Sequence, residues 1–145
     1  MRICLDTSVL NRPFDDQMQP RIALETQSLR TILQFVENGE VELVSSSVLE
    51  YENSRNISQR RQEWVKQCLQ LAVRFQVVDE GVTQRATLLE NQGLGAIDAL
   101  HVACAEASGC DYFLTCDDRL VRRYLGELKV MNPVSFVLEI TGDEQ

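Results

Sequence analysis

The chain has 145 residues, with 14 Lys or Arg against 22 Asp or Glu, giving a formal net charge of −8. That length fits one domain over residues 1–145, and it buries enough surface to need neither disulfides nor a structural metal. With 44% hydrophobic and 25% charged residues the chain is too apolar for disorder, and its acidity argues against gripping nucleic acid through bulk positive charge. No apolar run approaches the roughly 20 residues of a membrane span. Asp6 comes too early for a signal peptide. The five cysteines, Cys4, Cys68, Cys104, Cys110 and Cys116, contain no C-x-x-C pair, and His101 is the only histidine. That pattern argues against zinc and for reduced, half-buried thiols in a cytoplasm.

In chain order, Ile3–Leu5 reads as a short buried strand and the stretch from Thr7 to Gln19 as a loop. Apolar residues Ile22, Leu29, Ile32, Leu33 and Val36 fall at helical spacing, with Pro20 suited to the first turn and Asn38-Gly39 to the stop. Val41–Val44 is a strand, and Ser45-Ser46-Ser47 offers N-caps for the helix carrying Val48-Leu49-Glu50-Tyr51. A further helix runs from Ser58 to about Arg74, followed by an apolar run at Phe75–Val78 and a helix from Val82 to about Asn91. Gln92-Gly93-Leu94-Gly95 breaks the chain before a small-residue helix, Ala96–Ala107. Tyr112–Thr115 is a strand, Asp117–Leu125 a short helix, and the last strand falls at Val130 or at Val134–Val137. Strands alternating with helices predict an α/β fold with a mainly parallel sheet.

The informative feature is where certain acids stand. Asp6 follows the first strand, Glu50 lies in the first turn after the second, and Asp117 comes two residues after the strand at Tyr112–Thr115. In a parallel sheet the carboxyl ends of the strands share one edge, where ligands bind. Asp98 opens a helix after a glycine break and can reach that edge; its apolar neighbours make a lone carboxylate there costly. Four converging carboxylates repel unless cations neutralise them. Oxygen donors select hard ions, Mg²⁺ or Mn²⁺, over zinc. Such ions activate water and stabilise the leaving oxygen of a phosphodiester, so the chemistry implied is metal-assisted phosphoryl hydrolysis.

Leu5-Asp6-Thr7-Ser8-Val9-Leu10, Ser47-Val48-Leu49-Glu50, Asp98-Ala99-Leu100-His101-Val102-Ala103-Cys104-Ala105 and Phe113-Leu114-Thr115-Cys116-Asp117-Asp118-Arg119 occur in an order that resembles the four motifs of PIN-domain ribonucleases. The resemblance implies a three-layer α/β/α domain with a central parallel sheet. It also implies a Mg²⁺- or Mn²⁺-dependent endoribonuclease acting on RNA. Small stand-alone members resemble the toxin of VapBC-type toxin–antitoxin pairs, which implies an antitoxin protein as partner and a homodimer. By position Asp6, Glu50, Asp98 and Asp117 match the metal-binding, catalytic acids, with Asp118 as an outer carboxylate. Glu52 competes with Glu50; two residues apart on a helix point roughly 200° apart, and the family spacing Ser-x-x-Glu favours Glu50. Thr7, Ser8 and Thr115 are candidates to bond a carboxylate, water or phosphate. Arg12, Arg55 and Arg119 are candidates to grip phosphates bidentately. His101, one turn after Asp98, is expected to be packed against a polar group rather than to act as a base.

Three rivals stand beside this reading. A phosphatase using Asp6 as nucleophile wants an acid two residues on, where this chain has Ser8. A PIN-like scaffold that only binds a partner would keep the fold without turnover. A PIN nuclease of RNA processing would keep the chemistry without the toxin role.

Overall fold

Four short apolar stretches and the segment Arg74–Gln76 become the five strands of one parallel sheet, seen in a computed structural model that describes residues 1–142. The strands are β1 (Arg2–Leu5), β2 (Glu42–Ser46), β3 (Arg74–Gln76), β4 (Tyr112–Leu114) and β5 (Lys129–Met131). Their order is β3-β2-β1-β4-β5 and every pairing is parallel. The chain moves outward from β1 to β3, then crosses to the other side of β1 for β4 and β5. With right-handed crossovers, that reversal puts helices on both faces of the sheet and opens a crevice between the carboxyl ends of β1 and β4. The result is the expected α/β fold in three layers, α/β/α.

The helices are α1 (Thr7–Leu10), α2 (Pro20–Glu37), α3 (Ser47–Ser54), α4 (Gln59–Leu69), α5 (Glu80–Asn91), α6 (Ala96–Ala107), α7 (Asp118–Arg123) and α8 (Pro133–Gly142). Central strands read as continuous apolar runs because both faces are covered: Ile3, Leu5, Leu43, Phe113 and Leu114 are all fully buried. The small residues of α6 do the same for a helix. Ala99, Val102, Ala103, Cys104 and Ala105 are buried, which lets α6 lie close against the sheet and α5. Four cysteines are buried and free, Cys110 is half-buried, and burial pushes all five thiols above their usual range, to about 12 for Cys68 and Cys116.

Two expectations about local structure need correction. The stretch from Thr7 to Gln19 is not simply a loop, since it holds α1 and a 3₁₀ turn at Arg12–Phe14. The Asp6 carbonyl accepts N–H groups from Val9 and Leu10, and both side chains are fully buried. Residues 134–137 are helical, leaving Lys129–Met131 as the last strand. Asn132 caps that helix by accepting the Val134 N–H at 2.8 Å, and Pro133 is pre-set for its first turn.

Candidate functional site

Asp6 is set by the end of β1. Its backbone N–H continues the ladder to the Leu114 carbonyl of β4 at 2.9 Å, which holds its side chain in the crevice between the two strands. The carboxylate is only 6% exposed. Its Oδ2 accepts the hydroxyls of Ser8 at 2.9 Å and Thr115 at 2.8 Å. Each hydroxyl also accepts a backbone proton: Ser8 Oγ takes the Cys116 N–H and Thr115 Oγ1 takes the Asp117 N–H, both at 3.1 Å. The two hydroxyls therefore tie Asp6 to the β4–α7 turn. No Lys or Arg forms an ion pair with Asp6 among the described residues.

Helix α3 delivers a second carboxylate, and it is Glu52 rather than Glu50. Ser46 caps the helix by accepting the Leu49 N–H at 3.1 Å, which fixes its phase. In that phase Glu52 Oε1 accepts the Thr7 hydroxyl at 2.9 Å and stands 2.5 Å from His101 Nε2. A carboxylate can only accept, so His101 donates its Nε2 proton. Glu50, about 200° round the helix, is exposed and lines a different groove with Asn53 and Lys66. The preference for Glu50 is thus reversed by geometry: apolar Val48 and Leu49 take the inner face, and the residue that reaches Asp6 comes half a turn later than the motif spacing suggested.

One ligand atom each from Asp6, Glu52 and His101 lies within 4.8 Å of the others. Burial pushes the Glu52 carboxyl upward, but the His101 contact and the Thr7 hydroxyl outweigh it and hold Glu52 below its usual range. Burial lowers His101, and Glu52, Asp6 and Asp98 together raise it above its usual value. His101 is 1% exposed on α6. It acts here as a donor that orients Glu52.

Asp98, half-buried in the first turn of α6, has its pKa raised by burial first and then by the charges of Asp6, Asp117 and Glu52, with His101 pulling the other way. Those couplings place all four acids in one electrostatic neighbourhood. Asp117 caps α7 by accepting the Arg119 N–H at 2.9 Å and is partly exposed. The structure therefore brings Asp6 and Glu52 together, with Asp98 near enough to feel the charges of Asp6, Asp117 and Glu52, and Thr7, Ser8 and Thr115 are the hydroxyls that fix Asp6 and Glu52.

The remaining candidates are placed differently. Asp118 lies in the first turn of α7 and is held by a two-pronged contact from Arg21, both N–O distances 2.7 Å. That bond holds its carboxyl below the usual carboxylate value. Arg12 is not a free phosphate grip: it spans Glu25 at 2.9 Å and Asp15 at 3.0 Å. Arg55 is exposed at the end of α3, its guanidinium 5.7 Å from the Tyr51 ring centroid. Arg119 is exposed beside Asp117, 3.7 Å from its carboxylate. Sequence reasoning passed over Arg21; the one available signal was its i,i+4 spacing from Glu25.

The family model of the PIN domain matches residues 3–125. VapBC2 from Rickettsia felis, solved bound to a DNA fragment from its promoter, superimposes with a TM-score of 0.62 at 19% identity, covering 91% of this chain and 98% of that one. FitAB bound to the IR36 DNA fragment matches at TM-score 0.56 and 22% identity, covering 91% and 95%. VapBC-1 from nontypeable Haemophilus influenzae matches at TM-score 0.58 and 15% identity, covering 92% and 98%. No curated protein matches. These likenesses establish the shared fold.

Proposed function

The chain belongs to the PIN-domain family, and from that premise we propose that it is a metal-dependent endoribonuclease, one domain long, whose site is Asp6, Glu52, Asp98 and Asp117. The observation that carries this reading is Asp6: a buried carboxylate in the crevice of a parallel sheet, served by hydroxyls, with Glu52 and Asp98 close by and no Lys or Arg paired to it among the described residues. Like charges in that setting repel strongly, so the cluster is built to be neutralised by something bound. The donor set fits a hard ion, because oxygen donors dominate and the one nitrogen, His101 Nε2, is turned onto Glu52. Asp6, Asp98 and Asp117, with Glu52, would hold Mg²⁺ or Mn²⁺. When bound, such an ion supplies Lewis acidity and offsets negative charge at a phosphodiester.

The chain's own residues prepare the site. Ser8 and Thr115 lock the Asp6 carboxylate by occupying Oδ2, so it need not reorganise as the reaction proceeds. Thr7 and His101 do the same for Glu52. Hydrolysis adds water across one P–O bond and leaves a phosphate monoester and a free hydroxyl. The three nearby hydroxyls, Thr7, Ser8 and Thr115, already donate to carboxylates, so none is placed as a covalent nucleophile. Arg119 and Arg55, exposed cations on helices that carry site residues, are the proposed phosphate contacts.

The two-component VapBC and FitAB neighbours support an antitoxin as partner and a toxin role, with the homodimer and a cytoplasmic location as part of the same proposal. Among the described residues no helix is long and apolar enough to cross a membrane. The test is cleavage of a panel of RNAs by wild type and Asp98→Asn, with Mn²⁺ and with EDTA. Wild-type cleavage that stops in EDTA and falls by at least about 100-fold in the variant is expected. Cleavage that survives EDTA sinks the metal assignment.

A further inference from the structure

We propose that Asn11 is a positioning residue of the carboxylate site: acting through Thr7, it sets the register of α1 against α3 and so holds Glu52 beside Asp6. The inference rests on the metal reading above. Two side-chain bonds join these segments at the same sequence offset. Thr7 Oγ1 donates to Glu52 at 2.9 Å, and Asn56 Nδ2 donates to Asn11 Oδ1 at 3.3 Å, each across 45 positions. Thr7 opens α1 and Asn11 is its C-cap, one turn on; Glu52 lies on α3 and Asn56, one turn on, in the turn that closes it. The two bonds are thus matched rungs between α1 and α3. One ends on an acid of the site, and the other lies outside the site.

Asn11 is bound on both sides. Its Nδ2 donates to the Thr7 carbonyl at 2.9 Å, and its backbone N–H reaches the same carbonyl at 3.0 Å. Asn56 Oδ1 in turn accepts the Ser58 N–H at 3.3 Å. Both amides are therefore fixed, since turning either one over would set oxygen against oxygen and N–H against N–H. Helix α1 spans four residues, too few to hold a conformation by themselves. It is held by Asn11 at the Thr7 carbonyl and by Trp64 of α4, whose Nε1 donates to the Leu10 carbonyl at 2.7 Å. Asp6 and Glu52, with ligand atoms within 4.8 Å, repel while no ion is bound, and a loosely held α1 would let them part. A plain helix cap needs only the Thr7 carbonyl. The onward bond to Asn56 adds nothing to the cap and serves the spacing between α1 and α3.

The test is calorimetric titration of Mn²⁺ into the full chain, wild type against Asn11→Ala, well below the melting temperature of both. Asn11→Ala is expected to raise the Kd about tenfold or more. On a Thr7→Val background, where the hydroxyl that carries the effect is gone, the same change should raise it less than about threefold. In metal-free protein Asn11→Ala should also speed amide hydrogen exchange at Val9 and Leu10, which donate to the Asp6 carbonyl, by about tenfold, with the β1 amides unchanged. If Asn11→Ala does not fold, Asn56→Ala makes the same comparison by cutting the brace from its far end. A residue that merely supports the fold would lower the melting temperature and leave the Kd of the folded protein alone. The proposal is overturned if Asn11→Ala binds Mn²⁺ as tightly as wild type, if its effect is undiminished on Thr7→Val, or if exchange at Val9 and Leu10 is unaltered. Wild type that binds no Mn²⁺ overturns the metal reading itself, whereas wild-type binding with an unchanged variant overturns this inference alone.

Discussion

Glu25 and Asp6 are both buried carboxylates, Glu25 fully and Asp6 to all but 6%, yet they are compensated in opposite ways. Glu25, on α2, accepts from Arg12 at 2.9 Å, Arg21 at 3.2 Å and Asn132 at 2.5 Å. Arg21 lies one turn away on α2 itself, while Arg12 and Asn132 tie α2 to the 3₁₀ turn and to the cap of α8. Among the described residues Asp6 accepts from neutral hydroxyls and from no cation, and Glu52 and Asp98 are its acidic neighbours. A buried charge with its own cations is part of the frame. A buried charge without them is a site waiting for an ion. Distance from the sheet edge alone would not separate the two; the identity of the donors does.

The largest expected effects come from removing the two charges in turn. Asp6→Asn should abolish Mn²⁺ binding, read by calorimetry, while the apo protein melts no lower than wild type, because a repelled charge has been removed. Glu25→Gln should do the reverse: it leaves Arg12 and Arg21 without their shared acceptor, costs about 3 kcal/mol, and lowers the melting temperature by roughly 10 °C with Mn²⁺ affinity unchanged. The pH dependence sharpens this. Burial raises Glu25, but Asn132, Arg21 and Arg12 outweigh it and hold its carboxyl below the usual 4.5. Its stabilisation is therefore complete above that ordinary value and is lost as pH falls through the lower, folded value. Melting curves of wild type should drop steeply on acidification below about pH 4.5, and those of Glu25→Gln less so. A Glu25→Gln protein as stable as wild type at neutral pH would break the comparison.

Next in size is the choice between the two acids of α3. Glu52 is fixed by Thr7 and His101 beside Asp6, and Glu50 is turned to the opposite groove. Glu52→Gln should therefore reduce RNA cleavage by about 100-fold, at least tenfold more than Glu50→Gln does. Equal losses would mean that helix phase does not decide which acid serves the site.

Much of this was legible from residues alone, for reasons that also explain the misses. The strand runs and the small-residue helix Ala96–Ala107 are covered on all sides, so their apolar patterns carry the fold. Asp6, Asp98 and Asp117 sit at strand ends or first turns, where chain position fixes place. Motif spacing favours Glu50 over Glu52 because it does not record the rotation of α3, which the Ser46 cap and the burial of Leu49 set. The bonds from Arg12 to Glu25 and from Arg21 to Asp118 leave no sequence signal because they link residues 13 and 97 positions apart.

That last contact gives the smallest predicted effect and the finest test of the contrast. Asp118 stands next to Asp117 in sequence, so adjacency alone would make it an outer ligand of the ion. The structure instead gives it a cation of its own, Arg21, which also holds Glu25. By the criterion that separates Glu25 from Asp6, Asp118 belongs to the frame: its charge is already answered. It is also exposed, so losing that answer exposes nothing to an apolar interior. Asp118→Asn should then leave Mn²⁺ affinity and RNA cleavage close to wild type, whereas an outer metal-site carboxylate would cost about 10- to 100-fold. A loss of that size would move Asp118 into the site, and it would show that a carboxylate already paired to arginine can still serve the ion.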